Sequence, residues 1–261
     1  MDLKKLAEQA AQIAKEAGKL VLHENHPDIF DKAGHNNYVT SMDFASQQYI
    51  IEHLAPLIPG AEMLAEEKDN AVEKSQYRWV IDPIDGTTNY MKHFGHSCVS
   101  IALAKDGEGL LGAVYDIFRD DLFLGIRGQG ATLNDRPIHI SDTEMEEGLI
   151  IFGTAPYYEE MRQQTYKLVG EIGMQCGDVR RTGAAALDIC FVAAGKADGF
   201  YELYLQPWDY AAGLVILKEA GGQFESLNGP GFDFLSPNGI CCGNPKVFPE
   251  LRQFLERHGV L

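Results

Sequence analysis

Apolar positions near the start of the chain recur at Leu3, Leu6, Ala7, Ala10, Ile13, Ala14, Ala17 and Leu20. This is the helical period with a single apolar stripe, and it predicts a helix packed on a core. A polar stretch from Lys32 to Tyr38, with Gly34, Asn36 and Asn37, reads as a loop. Thr40, Ser41 and Asp43 then announce a second helix running to about residue 57, in which Asp43 is a first-turn acid helped by the helix dipole. Short apolar runs at residues 97–104, 110–115 and 121–125, parted by glycines and charged turns, predict antiparallel strands. Gly128, Gly130, Asn134 and Asp135 are turn punctuation before Ile138 and Ile140. The second half alternates more clearly. It predicts strands at 149–152, 199–202, 223–227 and 240–243, and helices at about 158–169, 184–194, 209–220 and 247–257.

With 261 residues, 45% of them hydrophobic, the chain can bury a substantial core. Its net charge of −16 repels nucleic acid and anionic membranes at long range, so neither is expected as a general partner. The five cysteines, Cys98, Cys176, Cys190, Cys241 and Cys242, are scattered and odd in number, suggesting neither a disulfide framework nor a zinc site. The N-terminal residues hold no continuous apolar segment of signal or membrane length. A reducing, cytoplasmic setting is therefore expected.

The most informative stretch runs Trp79, Val80, Ile81, Asp82, Pro83, Ile84, Asp85, Gly86, Thr87, Thr88, Asn89, Tyr90. It reads as a strand feeding a tight turn and a helix start, with both acids presented at the strand end. Carboxylates gathered this way suit a hard cation such as Mg²⁺, which takes oxygen ligands and shares its shell with substrate phosphate. The same word is also a good β-turn in which Asp85 bonds its own backbone and Asp82 ends a strand. Spacing alone leaves both open. Adjacent Glu66 and Glu67, after the short run Met63 to Ala65 and before a polar segment from Lys68 to Gln76, read by themselves as a solvated loop. His93 and His96 stand at metal-like spacing without a further partner, which favours a loop or supporting role.

The whole stretch closely resembles the first signature of the inositol monophosphatase family of Mg²⁺-dependent phosphomonoesterases, and Trp208, Asp209, Tyr210, Ala211, Ala212 and Gly213 resemble its second. The resemblance implies an α/β fold, a layered αβαβα sandwich with mixed, largely antiparallel sheets, shared with fructose-1,6-bisphosphatase. It would cover residues 1–261 as one domain of two packed halves, about 1–145 and 146–261. It further implies a pair of Mg²⁺ ions held by Glu66, Asp82, the Ile84 carbonyl, Asp85 and Asp209. A weaker third ion near the loop is put in doubt by Asn37, where the family has an acid. Val39 to Asp43 match a family segment whose Asp helps hold the attacking water, so catalytic roles fall to Glu66, Thr87 and Asp43.

By the same resemblance, the amides of Gly86, Thr87 and Thr88 receive the phosphate, while Asp85, Asp209, Gly183, Ala184, Ala185 and Glu202 contact substrate. For Asp209 an ordinary helix-start role is equally open. The implied reaction is hydrolysis of a small phosphate monoester, inositol 1-phosphate first, by a homodimer sensitive to lithium. Fructose 1,6-bisphosphate and adenosine 3′,5′-bisphosphate are the alternative substrates, favoured if Arg180 and Arg181 build a basic pocket. A binding module that keeps the fold without catalysis is the non-enzymatic alternative.

Overall fold

The computed structural model describes residues 1–24, 26–32, 37–67, 75–229 and 232–261. Gly34 and Asn36 of the expected loop, and residues 68–74 of the expected polar segment, lie outside them. The first helix, α1 (Leu3–His23), is capped by Asp2, whose carboxylate accepts from Lys5 N at 3.1 Å. It buries the expected stripe from Leu6 to Ala17; Leu3 is half-buried, and at the other end Val21 takes the inward place while Leu20 lies on the outer flank. Two short strands that apolar patterning did not reveal, β1 (Ile29–Asp31) and β2 (Tyr38–Thr40), pair antiparallel. Helix α2 (Ser41–Leu54) follows, ending before residue 57.

The larger sheet places β3 (Glu62–Ala65), β4 (Tyr77–Asp85), β5 (Cys98–Lys105), β6 (Glu108–Asp116), β7 (Asp121–Ile126), β8 (Gly130–Leu133) and β9 (Arg136–Pro137) side by side in chain order. Only β3 and β4 run parallel within it. Between β8 and β9, Asn134 and Asp135 both adopt positive φ, so these turn residues form the tip of a hairpin. A short helix, α3 (Thr87–Met91), leaves the end of β4. The smaller sheet holds β10 (Leu149–Phe152), β11 (Asp178–Arg180), β12 (Gly199–Leu205), β13 (Gln223–Ser226) and β14 (Asn238–Gly243), in the order β11-β10-β12-β14-β13. Helices α4 (Glu159–Ile172), α5 (Ala185–Ala193), α6 (Pro207–Glu219) and α7 (Val247–Arg257) complete the described elements.

These elements stack as the αβαβα sandwich. Along β5, Val99, Ile101 and Leu103 enter a core with α1 and α2, while Cys98 and Ala102 enter a second core with α5 and α6. The second core continues into Phe200 of β12, and Tyr201 on the opposite face joins a third core with α4 and α7. Helix α6 is buried nearly all round because it is apolar nearly all round, from Tyr210 to Leu217. All five cysteines are unpaired thiols. Among the described residues no helix is long and apolar enough to cross a membrane.

Contact between α6 and β6 depends on a missing side chain. A Cβ at Gly112 would stand 2.3 Å from the Ala212 carbonyl oxygen and 2.8 Å from its Cα, both backbone atoms that cannot rotate away. Overpacking of this kind costs about 1–3 kcal/mol. Gly112→Ala should therefore lower the free energy of unfolding by that amount, read as a lower urea midpoint, while Ala at the open position of Gly170, with no atom within 4 Å of its Cβ, should not destabilise.

Candidate active site

Where β4, β12 and the starts of α3, α5 and α6 meet, a cleft of about 640 Å³ opens. Period-two alternation along β4 turns Asp82 to the same face as Val80, toward α6. A break in the β4–β5 register between Asp82 and Asp85 then lets Ile84 and Asp85 turn separately. Gly86 follows at φ 83°, and a Cβ there would lie 3.0 Å from the His96 carbonyl and 3.1 Å from Ala184 Cβ, so glycine alone fits. Glu66 comes from the turn after β3, and Asp209 from the first turn of α6.

Each of these acids spends one oxygen on a tether. Asp82 Oδ1 accepts from Ile84 N at 3.0 Å, Asp85 Oδ2 from Ala186 N at 2.8 Å, and Asp209 Oδ2 from Gln206 N at 2.7 Å. Glu66 Oε1 accepts from Lys32 Nζ at 2.9 Å, and Lys32 also pairs with Glu67. The other oxygen of each takes no hydrogen bond among the described residues. Asp85 therefore does not bond its own turn; it clamps the start of α5. Asp209 is the third residue of its helix, not the first, and closes a capping box with Gln206, so helix start and cleft acid are one residue.

Burial, and then the neighbouring acids, raise the carboxyls of Asp82, Asp85 and Asp209. Asp82 is driven well above its ordinary range by burial, Glu66, Asp85 and Asp209, and Asp209 by burial, Asp85 and Glu66. Asp85 rises to about 8 through burial, against the Ala186 N–H, with Asp188 and Glu202 adding repulsion. Burial alone would lower Lys32, but Glu66 and Glu67 hold it protonated.

Among the described residues no three such side chains form a closed metal cluster, each acid being tethered to a different element. The donor chemistry nonetheless fits a hard divalent cation: free oxygens on Glu66, Asp82, Asp85 and Asp209, plus the Ile84 carbonyl, with no nitrogen ligand in the set. Asp43 sits behind them. Its Oδ2 accepts from Thr40 N at 2.7 Å and Thr40 Oγ1 at 2.6 Å, while the Thr87 hydroxyl lies 3.3 Å from its Oδ1 and 3.1 Å from the Ile84 carbonyl.

Apart from Asp43, every site residue expected from the sequence lines the cleft: Glu66, Asp82, Ile84, Asp85, Gly86, Thr87, Thr88, Gly183, Ala184, Ala185, Glu202 and Asp209. Arg181 lines it too, with Nη2 3.4 Å from Thr154 Oγ1, whereas Arg180 pairs away from it with Asp178 at 2.5 Å. Sequence reasoning missed Tyr157, Tyr158, Tyr204 and Asp188, which complete the wall. Asp188 had a readable signal, a lone acid in the apolar word Ala-Ala-Leu-Asp-Ile-Cys, since a buried Asp is rare unless paired.

Glu202 is held by the loop after β10. Its Oε1 accepts from Ala155 N at 2.7 Å, Ala155 adopts a left-handed φ of 41°, and a Cβ at Gly153 would stand 1.8 Å from Glu202 Oε2.

The fold and cleft define a class: a layered α/β protein with an oxygen-donor acid cluster facing helix N-termini. The chain belongs to the inositol monophosphatase family, whose profile matches residues 2–258. It is 38% identical over 243 residues to Nus factor SuhB of Escherichia coli strain K12, covering 91% of each chain. Its fold is similar to inositol monophosphatase from Anabaena (Nostoc) sp. PCC 7120, with TM-score 0.87, 33% identity and coverage of 98% and 97%. It is likewise similar to SaIMPase-II solved with inositol monophosphate bound, with TM-score 0.81, 28% identity and coverage of 99% and 95%.

Burial raises Glu202 to about 7, against the Ala155 N–H and Arg181 and with Asp188 adding repulsion. A carboxyl raised on folding contributes stability that is fully present below its unfolded pKa, near 4.5, and lost as pH rises through about 7. Glu202→Gln keeps an oxygen for Ala155 and removes the titration. In EDTA, wild type should match the variant near pH 4.5 and fall below it by up to about 3 kcal/mol at pH 8, read by urea unfolding.

Proposed function

We propose that the chain hydrolyses a small phosphate monoester, inositol 1-phosphate before others, with water as the attacking group. The observation that carries this reading is the convergence of Glu66, Asp82, Asp85 and Asp209 from separate elements on one cleft, each with an oxygen to spare. Mg²⁺ bound at those oxygens supplies charge neutralisation for the phosphate and a more acidic water. Two ions, lithium sensitivity and a homodimer belong to the same reading.

The chain's own residues orient the reaction. Thr87 donates its hydroxyl proton to Asp43 or to the Ile84 carbonyl, which leaves its lone pairs to accept from the attacking water. Burial, opposed by the Thr40 hydrogen bonds, lifts Asp43 to about 6, poised to receive a proton near neutral pH. With one oxygen fixed by Lys32, Glu66 uses the other to hold the same water. The amides of Gly86, Thr87 and Thr88 open α3 without intrahelical partners and face the phosphate oxygens.

A second phosphate would meet Arg181 beside the acids Glu202 and Asp188, so the pocket favours a monophosphate over fructose 1,6-bisphosphate or adenosine 3′,5′-bisphosphate. The name Nus factor SuhB, carried by the curated relatives, favours a second reading, a binding module that keeps the fold. Net charge is the argument against nucleic acid as its partner.

Phosphate release from these three esters, histidinol phosphate and β-glycerophosphate, with Mg²⁺ or with EDTA, tests the reading. Mg²⁺-dependent release, highest from inositol 1-phosphate, is expected; none from any ester would move the weight to the binding module. Asp85→Asn keeps an oxygen for Ala186 N, so it should fold normally while turnover drops at least about 100-fold, the scale on which loss of one charge-stabilising group acts. Near wild-type turnover in this variant would overturn the metal assignment.

A further inference from the structure

Asp188 is 1% exposed and His96 4%; Asp188 lies in α5 and His96 in the segment between α3 and β5. His96 Nε2 lies 2.9 Å from Asp188 Oδ1. A carboxylate only accepts, so the ring nitrogen facing it is the N–H. The Thr182 hydroxyl donates to the same Oδ1 at 2.5 Å. The Asn89 amide joins the same two segments, donating to the His96 carbonyl at 2.8 Å and the Thr182 carbonyl at 2.9 Å.

Both donors thus converge on one oxygen. Asp188 Oδ2 accepts nothing among the described residues, yet Asp188 lines the cleft beside Gly183, Ala184 and Ala185. A buried carboxylate on the cleft wall, with one oxygen clamped twice and the other without a hydrogen bond among the described residues, is built as an acceptor for a donor that arrives from outside. Glu202 and Arg181 line the same cleft, and these are the groups that the proposed reaction leaves for the substrate's alcohol.

We propose that Asp188 is a specificity-determining residue whose Oδ2 accepts a hydroxyl of the substrate's alcohol, with His96 and Thr182 fixing its orientation. This rests on the phosphomonoesterase reading and narrows its substrate class. The preferred ester carries a free hydroxyl near the phosphate on an otherwise uncharged polyol. Glu202 and Asp188 together turn away an alcohol bearing a second phosphate.

Asp188→Asn inverts this group without emptying its place. With the His96 N–H and the Thr182 hydroxyl still donating as they do to Asp188, the amide oxygen faces them and the NH₂ faces away, putting a donor where an acceptor stood. The ratio of kcat/KM on myo-inositol 1-phosphate to that on phenyl phosphate, which has no hydroxyl, should fall about 10- to 100-fold. An equal fall on both esters, or a changed Mg²⁺ requirement common to both, would overturn the proposal, because Asp188 would then act through the fold or the cation. Calorimetry with Ca²⁺ replacing Mg²⁺ separates binding from turnover. Asp188→Asn should weaken inositol 1-phosphate relative to phenyl phosphate; no relative change, or no binding of inositol 1-phosphate to wild type, would overturn it. If wild type releases phosphate from no ester, the phosphatase reading fails while calorimetry still decides Asp188. Should Asp188→Asn not fold, Thr182→Val frees Oδ1 of one donor and should shift the same ratio in the same direction by a few-fold.

Discussion

Carboxylates repel, and everything around the cleft answers that constraint. Asp43, Glu66, Asp82, Asp85 and Asp209 gather in and behind one cleft, and burial makes Asp43, Asp82, Asp85 and Asp209 harder to ionise than in water. No local segment could hold such a group together. The structure does so by giving each acid a tether of its own, three to backbone N–H groups, one to Lys32, and one to the Thr40 cap. Each pKa unit of upward shift is about 1.4 kcal/mol spent on the charged form. Three apolar cores outside the cleft supply the stability that offsets it.

The tethers also divide the cleft. Its acid end, built by the turn after β3, the end of β4 and the start of α6, offers free carboxylate oxygens next to helix N-termini, where anions are favoured. The other end, built by β12, the loop after β10 and the start of α5, offers Glu202, Asp188, Arg181 and a tyrosine wall. In the proposed reaction the phosphate and the attacking water belong to the first and recognition of the alcohol to the second. Asp85 joins them, since its carboxylate reaches from β4 to the first turn of α5.

Family membership and chemistry carry different weights. The profile and the structural likeness extend over nearly the whole chain, so the fold needs no further argument. The chemistry is argued from the spare oxygens, and the name carried by the curated relatives keeps a binding role beside catalysis.

Much of this was legible in the chain. Helical periodicity marked α1, the start signals Thr40, Ser41 and Asp43 marked α2 to within a turn, and short apolar runs between glycines and charged turns marked β5 to β7. The word from Trp79 to Tyr90 located the acids, because strand, turn and glycine are local consequences of residue type. Short paired strands such as β1, β2 and β11 were not legible, since a three-residue strand is stabilised by its neighbour and not by its own pattern. Nor was the partner of any acid. That Asp85 caps α5, that Arg181 faces the cleft while Arg180 turns away, and that His96 meets Asp188 are contacts between residues distant in sequence. Sequence by itself determined which residues carry charge and which local conformations they prefer. Tertiary structure decided which oxygen of each carboxylate is satisfied and which is left for a ligand, because that depends on donors brought in by packing.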